Sequence, residues 1–123
     1  MSGKMTVFDD SYSAGADLST HQYKGVVLTG AGTVGLQDAS GLSLGVLQNK
    51  PRLGEGARVM HIGRTKCLAN GASVAIAVGD RLRPGVGGVF EKAPLGTETN
   101  IIGIAEEACT ISGGLIDMSM SFF

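Results

Sequence analysis

The alternation of apolar and polar positions is clearest between Leu115 and Phe122. Ile116, Met118, Met120 and Phe122 alternate there with Asp117, Ser119 and Ser121. A period of two puts successive side chains on opposite faces of an extended chain, so this segment reads as a half-buried antiparallel strand. Shorter apolar runs recur every eight to twelve residues from His21 onward, between turn signals, the spacing of a small sandwich or barrel. They predict strands over Tyr23–Thr29, Thr33–Gln37, Leu44–Gln48, Ala57–Ile62 and Thr65–Ala69. Asn70-Gly71 reads as a two-residue hairpin turn, because a type I′ turn needs positive φ at both positions. Ala72–Val78 is then the return strand. Gly85–Gly88 is a loose loop before Val89–Lys92, and Ile101–Glu106 completes the set.

Composition closes off the helical alternative. The 123 residues include 20 glycines and 3 prolines but no tryptophan. An interior Gly costs a helix about 1 kcal/mol relative to Ala, and Pro about 3 kcal/mol. The longest stretch free of both is Lys4–Ala14, which carries Thr, Val, two Asp and Ser. The expected fold is therefore all-β: a small antiparallel β-barrel or sandwich with short strands and Gly-rich turns over residues 17–123. Residues 1–16 are small, polar and acidic, broken by Met5, Val7, Phe8 and Tyr12, and follow no period of 2 or 3.6. They read as an extended N-terminal arm whose apolar residues need a surface, with a disordered terminus as the alternative.

Charge and cysteine content narrow the function classes. The net charge is -1 with both signs spread along the chain, so no basic stripe marks a nucleic-acid or anionic-membrane partner. No apolar run approaches a membrane span, and the first sixteen residues lack the apolar core of a secretory leader. Cys67 and Cys109 are far apart and form no C-x-x-C. They are expected as reduced, core-facing thiols of a cytoplasmic product, with one disulfide as the alternative.

Two well-known motifs fall between Val26 and Gly45, and neither has its context. Gly30, Gly32 and Gly35 spell G-x-G-x-x-G, and Glu55 sits about where a ribose-binding acid belongs. A dinucleotide site needs a helix beginning inside the motif, whereas Gly41, Gly45 and Pro51 follow too closely for one. Gly41, Ser43 and Gly45 spell G-x-S-x-G, which needs a strand before the serine and a helix after it. Ser43 instead precedes a strand and a turn. Its partners would be His61 and Glu55, all within nineteen residues. Both motifs read as glycine-rich hairpin ends. His61 with Cys67 lacks the four ligands and paired spacings of a structural zinc site, and Glu106-Glu107 and Asp9-Asp10 diverge in a strand. No catalytic, metal or cofactor site is expected.

The order of several weaker elements does carry a resemblance. Gly45-Val46-Leu47-Gln48-Asn49-Lys50-Pro51 is followed by Gly54-Glu55, by Ala72–Leu82 with its Val-Gly-Asp-Arg-Leu ending, and by Ile102–Ala108 and Gly113-Gly114. Over about residues 17–121 the chain resembles small tailed-phage capsid decoration, or cement, proteins, formerly a domain of unknown function. The resemblance implies a β-rich fold, several copies per assembly, and binding to the outside of an icosahedral head built from the major capsid protein. It implies no catalytic residue.

The expectation is thus a non-enzymatic capsid decoration protein. It would be made in the bacterial host cytoplasm and placed on the outer surface of the virion, as a dimer or trimer on the major capsid protein. Its contact residues are expected to be Met5, Val7, Phe8 and Tyr12 of the arm together with Phe122 and Phe123, although the two C-terminal rings equally suit closure of the core. A phage tail, spike or head-completion module is the rival in the same setting. A small β-barrel enzyme or ligand-binding barrel is the rival from another class, and the lack of convergent polar residues stands against it.

Overall fold

The computed structural model of the chain describes residues 8–37, 43–93 and 101–120. Nine strands account for the regular structure there: β1 (Phe8–Ala14), β2 (Gly25–Gly30), β3 (Thr33–Leu36), β4 (Gly45–Leu47), β5 (Gly56–Asn70), β6 (Arg81–Pro84), β7 (Phe90–Lys92), β8 (Gly103–Ala105) and β9 (Ser112–Met120). A single 3-10 turn, Val86–Gly88, lies between β6 and β7. The described chain is all-β, as its glycine content and short apolar runs predict, and it contains a closed five-stranded barrel.

Closure depends on β5. Its first half pairs with β4 and β1, and the circuit β1-β3-β2-β4-β5 returns to β1 through the antiparallel β1–β5 ladder. Its second half pairs with β9 and, by the parallel bridge Ala69↔Phe90, with β7. The circuit β5-β7-β6-β8-β9 then also returns to β5, as a second ring. One strand thus serves both rings. Sequence patterning suggests two strands here, Ala57–Ile62 and Thr65–Ala69, and the gap between them is the junction where β5 passes from one ring to the other. Gly63 has φ +130° at that point, a conformation essentially reserved for glycine.

Each ring has its own core, filled by alternate residues of the shared strand. Ala57 and Val59 pack with Ala14, Leu18, Val26, Val34 and Leu47 in the first. Cys67 and Ala69 pack with Leu82, Phe90, Ile116 and Met118 in the second, which also takes in Val46 of β4 and Met60 from the first half of β5. The expected face of the last strand is the buried one: Ile116, Met118 and Met120 point inward, while Asp117 and Ser119 are half-exposed.

Three local expectations change. Residues 8–14 of the expected arm do not stand away from the domain. They form β1, parallel to β3 at Ser13↔Thr33 and antiparallel to β5 from Phe8↔Ile62 to Ser13↔Gly56. The sheet is accordingly not purely antiparallel, because two parallel pairings close the rings. The Asn70-Gly71 hairpin does not form either. Both sides of β5 are already occupied, by Gly114 and Ser112 of β9 and by Phe90 of β7. Asn70 Oδ1 accepts the Ala72 N–H at 3.0 Å and turns the chain out, and only an isolated bridge, Ile76↔Cys109, remains of the return strand. Lastly, β6 was not anticipated, since Arg-Leu-Arg-Pro looks polar. Leu82 and Pro84 are its buried positions, and Pro84 is tolerated at the strand's end.

Candidate functional site

Tyr12 is the one candidate contact residue whose side chain is described. It lies on β1 opposite Ala57 of β5, half-buried against the first core. Its hydroxyl lies 3.0 Å from His61 Nε2, and the two rings meet edge to face at 5.9 Å. His61 Nδ1 is 3.0 Å from the Leu44 carbonyl. A carbonyl only accepts, so Nδ1 carries the proton and Nε2 accepts from the tyrosine hydroxyl. The pair therefore ties β1 to β5 and to the residue preceding β4. Phe8 opens β1 opposite Ile62, while Met5, Val7, Phe122 and Phe123 lie outside the described residues.

The residues of the two glycine motifs are engaged locally. Gly30, Gly32 and Gly35 belong to the β2–β3 hairpin, whose ladder runs from Val26↔Leu36 to Gly30↔Thr33. Ser43 donates its hydroxyl to the Gly45 carbonyl at 3.2 Å. Glu55 accepts the Arg52 N–H at 2.8 Å and closes the turn before β5. Ser43, His61 and Glu55 thus each hold a turn or a strand junction. Burial, with Cys109 and Asp117 adding to it, pushes the Cys67 thiol up to about 12, so it stays neutral near pH 7 and offers no ready thiolate nucleophile. Cys109 donates its thiol to the Ile111 carbonyl at 3.2 Å. Among the described residues no group of three or more His, Cys, Asp or Glu could hold a metal ion, and no helix is long and apolar enough to cross a membrane.

The outer face of the second ring carries a charged network. Arg64 on β5 bridges Glu106 at 3.0 Å and Asp117 at 3.3 Å, and Lys66 reaches Asp117 at 3.2 Å. Glu106 also accepts the Ser119 hydroxyl, while its neighbour Glu107 accepts the Asp117 N–H at 2.8 Å. The adjacent carboxylates do go to different partners. Exposed pairs of this kind are worth about 0–1 kcal/mol each, so they organise a face more than they stabilise it.

Two large apolar side chains of the second ring are left exposed. Leu115 is 49% exposed and pairs across the strands with half-buried Leu68. Val86, at 80%, crowns the 3-10 turn. Sequence reasoning missed these positions, although Leu115 could have been found as an apolar residue on the Asp117–Ser119 face of its strand. A depression of about 110 Å³ between Asn70, Val74, Arg83 and Glu91 is the kind of cavity that holds a few waters. Small-molecule pockets run to about 300–1,000 Å³.

No protein-family model matches the chain, and no curated protein matches it. Among solved structures, the fold is similar to that of the head fiber gp8.5 N base of bacteriophage phi29, with a TM-score of 0.68 and 15% identity. The superposition covers 94% of this chain and 95% of that one. At that identity the likeness is one of fold: this double-ring chain and the phage head fiber base share an architecture from end to end.

Proposed function

We propose that this chain is a structural protein of a bacteriophage head, and that it acts as a decoration protein on the outer surface of the major capsid protein lattice. The observation that carries the proposal is the fold shared with the phi29 head fiber base over nearly the whole of both chains. The order of weak sequence elements described above points the same way independently. The physical character of the molecule suits such a role, with two small rigid rings, a solvated face of paired charges, and apolar side chains such as Leu115 and Val86 left outside the cores. A protein of this sort stabilises a shell by binding the assembled lattice in preference to its dissociated subunits. A dimer or trimer would multiply weak contacts, since it engages several capsid subunits at once. Neither catalysis nor a cofactor enters this reading.

One observation favours a second reading. The phi29 neighbour is the base of a fiber, so this chain could instead seat a projection on the head or belong to a tail or spike. Quantitative mass spectrometry of purified virions separates the two through the copy number of this chain relative to the major capsid protein. A ratio of order one is expected for decoration of the lattice. A handful of copies per particle selects the appendage base, and absence from the particle ends both readings.

A further inference from the structure

Among the described residues, Tyr23 is the one residue other than glycine with a positive φ, at +68°. This left-handed conformation crowds Cβ against the backbone and costs every residue but glycine, with Asn the best tolerated of the rest. The backbone has a clear task here. Tyr23 donates its N–H to the Leu47 carbonyl at 2.8 Å and accepts the Leu68 N–H at 2.9 Å, so it straps β4 of the first ring to the second half of β5. Glycine would make both bonds without strain. Nor does the fold use the side chain: among the described residues it packs on neither core, its ring meets no other ring, and its hydroxyl has no hydrogen-bond partner. Strain that the fold does not require points to function.

The next residue carries a cation without a counter-ion. Arg64, Lys66, Arg83 and Lys92 each hold a carboxylate within 3.6 Å, and Lys50 and Arg52 are exposed to water. Lys24 is half-buried, and no described carboxylate reaches its ammonium. Nζ lies instead 3.0 Å from His21 Nδ1. An ammonium only donates, so Nδ1 accepts and the proton of the neutral ring sits on Nε2. Asp17, whose charge reaches His21, is itself turned to the Ser19 N–H at 3.1 Å. The strap thus presents the Tyr23 hydroxyl and the Lys24 ammonium with no carboxylate of its own to meet them. An apolar side chain stands beside them. A Cβ on Gly88 would lie 3.1 Å from Lys24 Cβ, so the 3-10 turn crowned by exposed Val86 rests against the strap.

We propose that Tyr23, Lys24 and Val86 form one contact site, which takes an aspartate or glutamate side chain of the major capsid protein together with the apolar surface around it. This rests on the reading that the chain binds a phage head. Charge complementarity selects the carboxylate, since Lys24 has already lost part of its hydration and gains an anion only when the partner arrives. A tyrosine adds contact area and a hydroxyl donor at low cost in side-chain entropy, the character of an interface anchor. Its strained backbone is kept because a glycine there would hold the strap but not the partner.

The test uses phage heads stripped of this protein and the complete chain, unaltered or carrying Tyr23→Gly, Tyr23→Asn, Lys24→Gln or Lys24→Glu. Both Tyr23 variants should keep or raise the unfolding midpoint, because Gly and Asn tolerate the left-handed backbone, and should bind about tenfold more weakly or worse. Lys24→Glu should bind more weakly than Lys24→Gln, and the gap should narrow as salt is raised. A photo-crosslinker at position 86 should capture a capsid segment that contains Asp or Glu. A lowered midpoint for both Tyr23 variants would make the ring a packing element and overturn the proposal. Undiminished binding by those variants, equal binding by the two Lys24 variants, or crosslinks only to another copy of this chain would do the same. Should the unaltered chain fail to bind stripped heads, the head-binding reading falls first and takes this one with it. If the unaltered chain binds and the variants bind equally well, only the contact site is lost.

Discussion

At the scale of single residues, burial sets what the titratable groups contribute. The Cys67 thiol is raised from 9.0 to about 12, chiefly by burial, so the folded state favours its neutral form. A raised acid contributes stability below its unfolded value and loses it as pH rises through the folded one. His21 shifts the other way: partial burial and the Lys24 ammonium, whose Nζ lies 3.0 Å from Nδ1, lower it from 6.5. Its contribution is present above 6.5 and is lost as pH falls through the lower folded value. Urea titrations from about pH 5 to about pH 11 should therefore show a plateau between these limits and a decline above pH 9.0. A thiol reagent at neutral pH should modify Cys67 only at the rate of unfolding. Rapid modification of the native chain would contradict its burial. Gly71 answers for a different constraint, since a Cβ there would sit 2.0 Å from the Cys109 carbonyl oxygen. Gly71→Ala should lower stability by roughly 1–3 kcal/mol or more, read as a shift in the chemical denaturation midpoint. The sequence announces Asn70-Gly71 as a hairpin turn, whereas Asn70 ends β5 and no hairpin follows. What the pair could not reveal is that the glycine is there for a neighbouring backbone and not for a hairpin, because that backbone comes from about forty residues downstream.

Elements with a strong period were legible, and those defined by their partners were not. β9 announces its buried face in Ile116, Met118 and Met120, and the β2–β3 and β4 runs lie within two residues of their expected bounds. β1 carries no period because it is a closing strand with a different neighbour on each side, and its Asp-Asp-Ser-Tyr sequence resembles a tail. β6 hides for the same reason: Leu82 and Pro84 become inward-facing only once β7 and β8 flank them. The difference bears directly on truncation. Removal of residues 1–7 leaves every described strand in place. Removal of residues 1–16 takes away β1 and leaves facing edges of β3 and β5 open, a template for aggregation. The shorter deletion should keep the native circular dichroism and melting profile, and the longer one should be insoluble or molten. Within β1 a finer probe is Tyr12→Phe, which deletes the hydroxyl that His61 Nε2 accepts. A lost hydrogen bond of this type costs about 0.5–1.5 kcal/mol. A Tyr12→Phe variant as stable as the parent would mean that β1 is held by its ladders to β5 and β3 without help from this hydrogen bond.

For the molecule as a whole, the shared strand makes a mechanical claim. Two rings with separate cores could unfold separately if a linker joined them, but β5 contributes Ala57 and Val59 to one core and Cys67 and Ala69 to the other. Unravelling either ring strips one half of β5 of its neighbours, so the free energy of each ring supports the other and one transition is expected. Leu47→Ala opens a cavity in the first ring and Leu82→Ala in the second, where both side chains are fully buried. Each substitution should cost about 2–5 kcal/mol. Both should move the same single transition, whether it is followed by circular dichroism or by Cys67 accessibility. If Leu47→Ala instead splits the curve, with the first ring melting while Cys67 stays protected, β5 is a linker and not a spine. The distinction decides how the molecule bears load. Force applied at the junction, where Phe8 and Met120 meet consecutive residues of β5, would be shared by both rings only if they yield together.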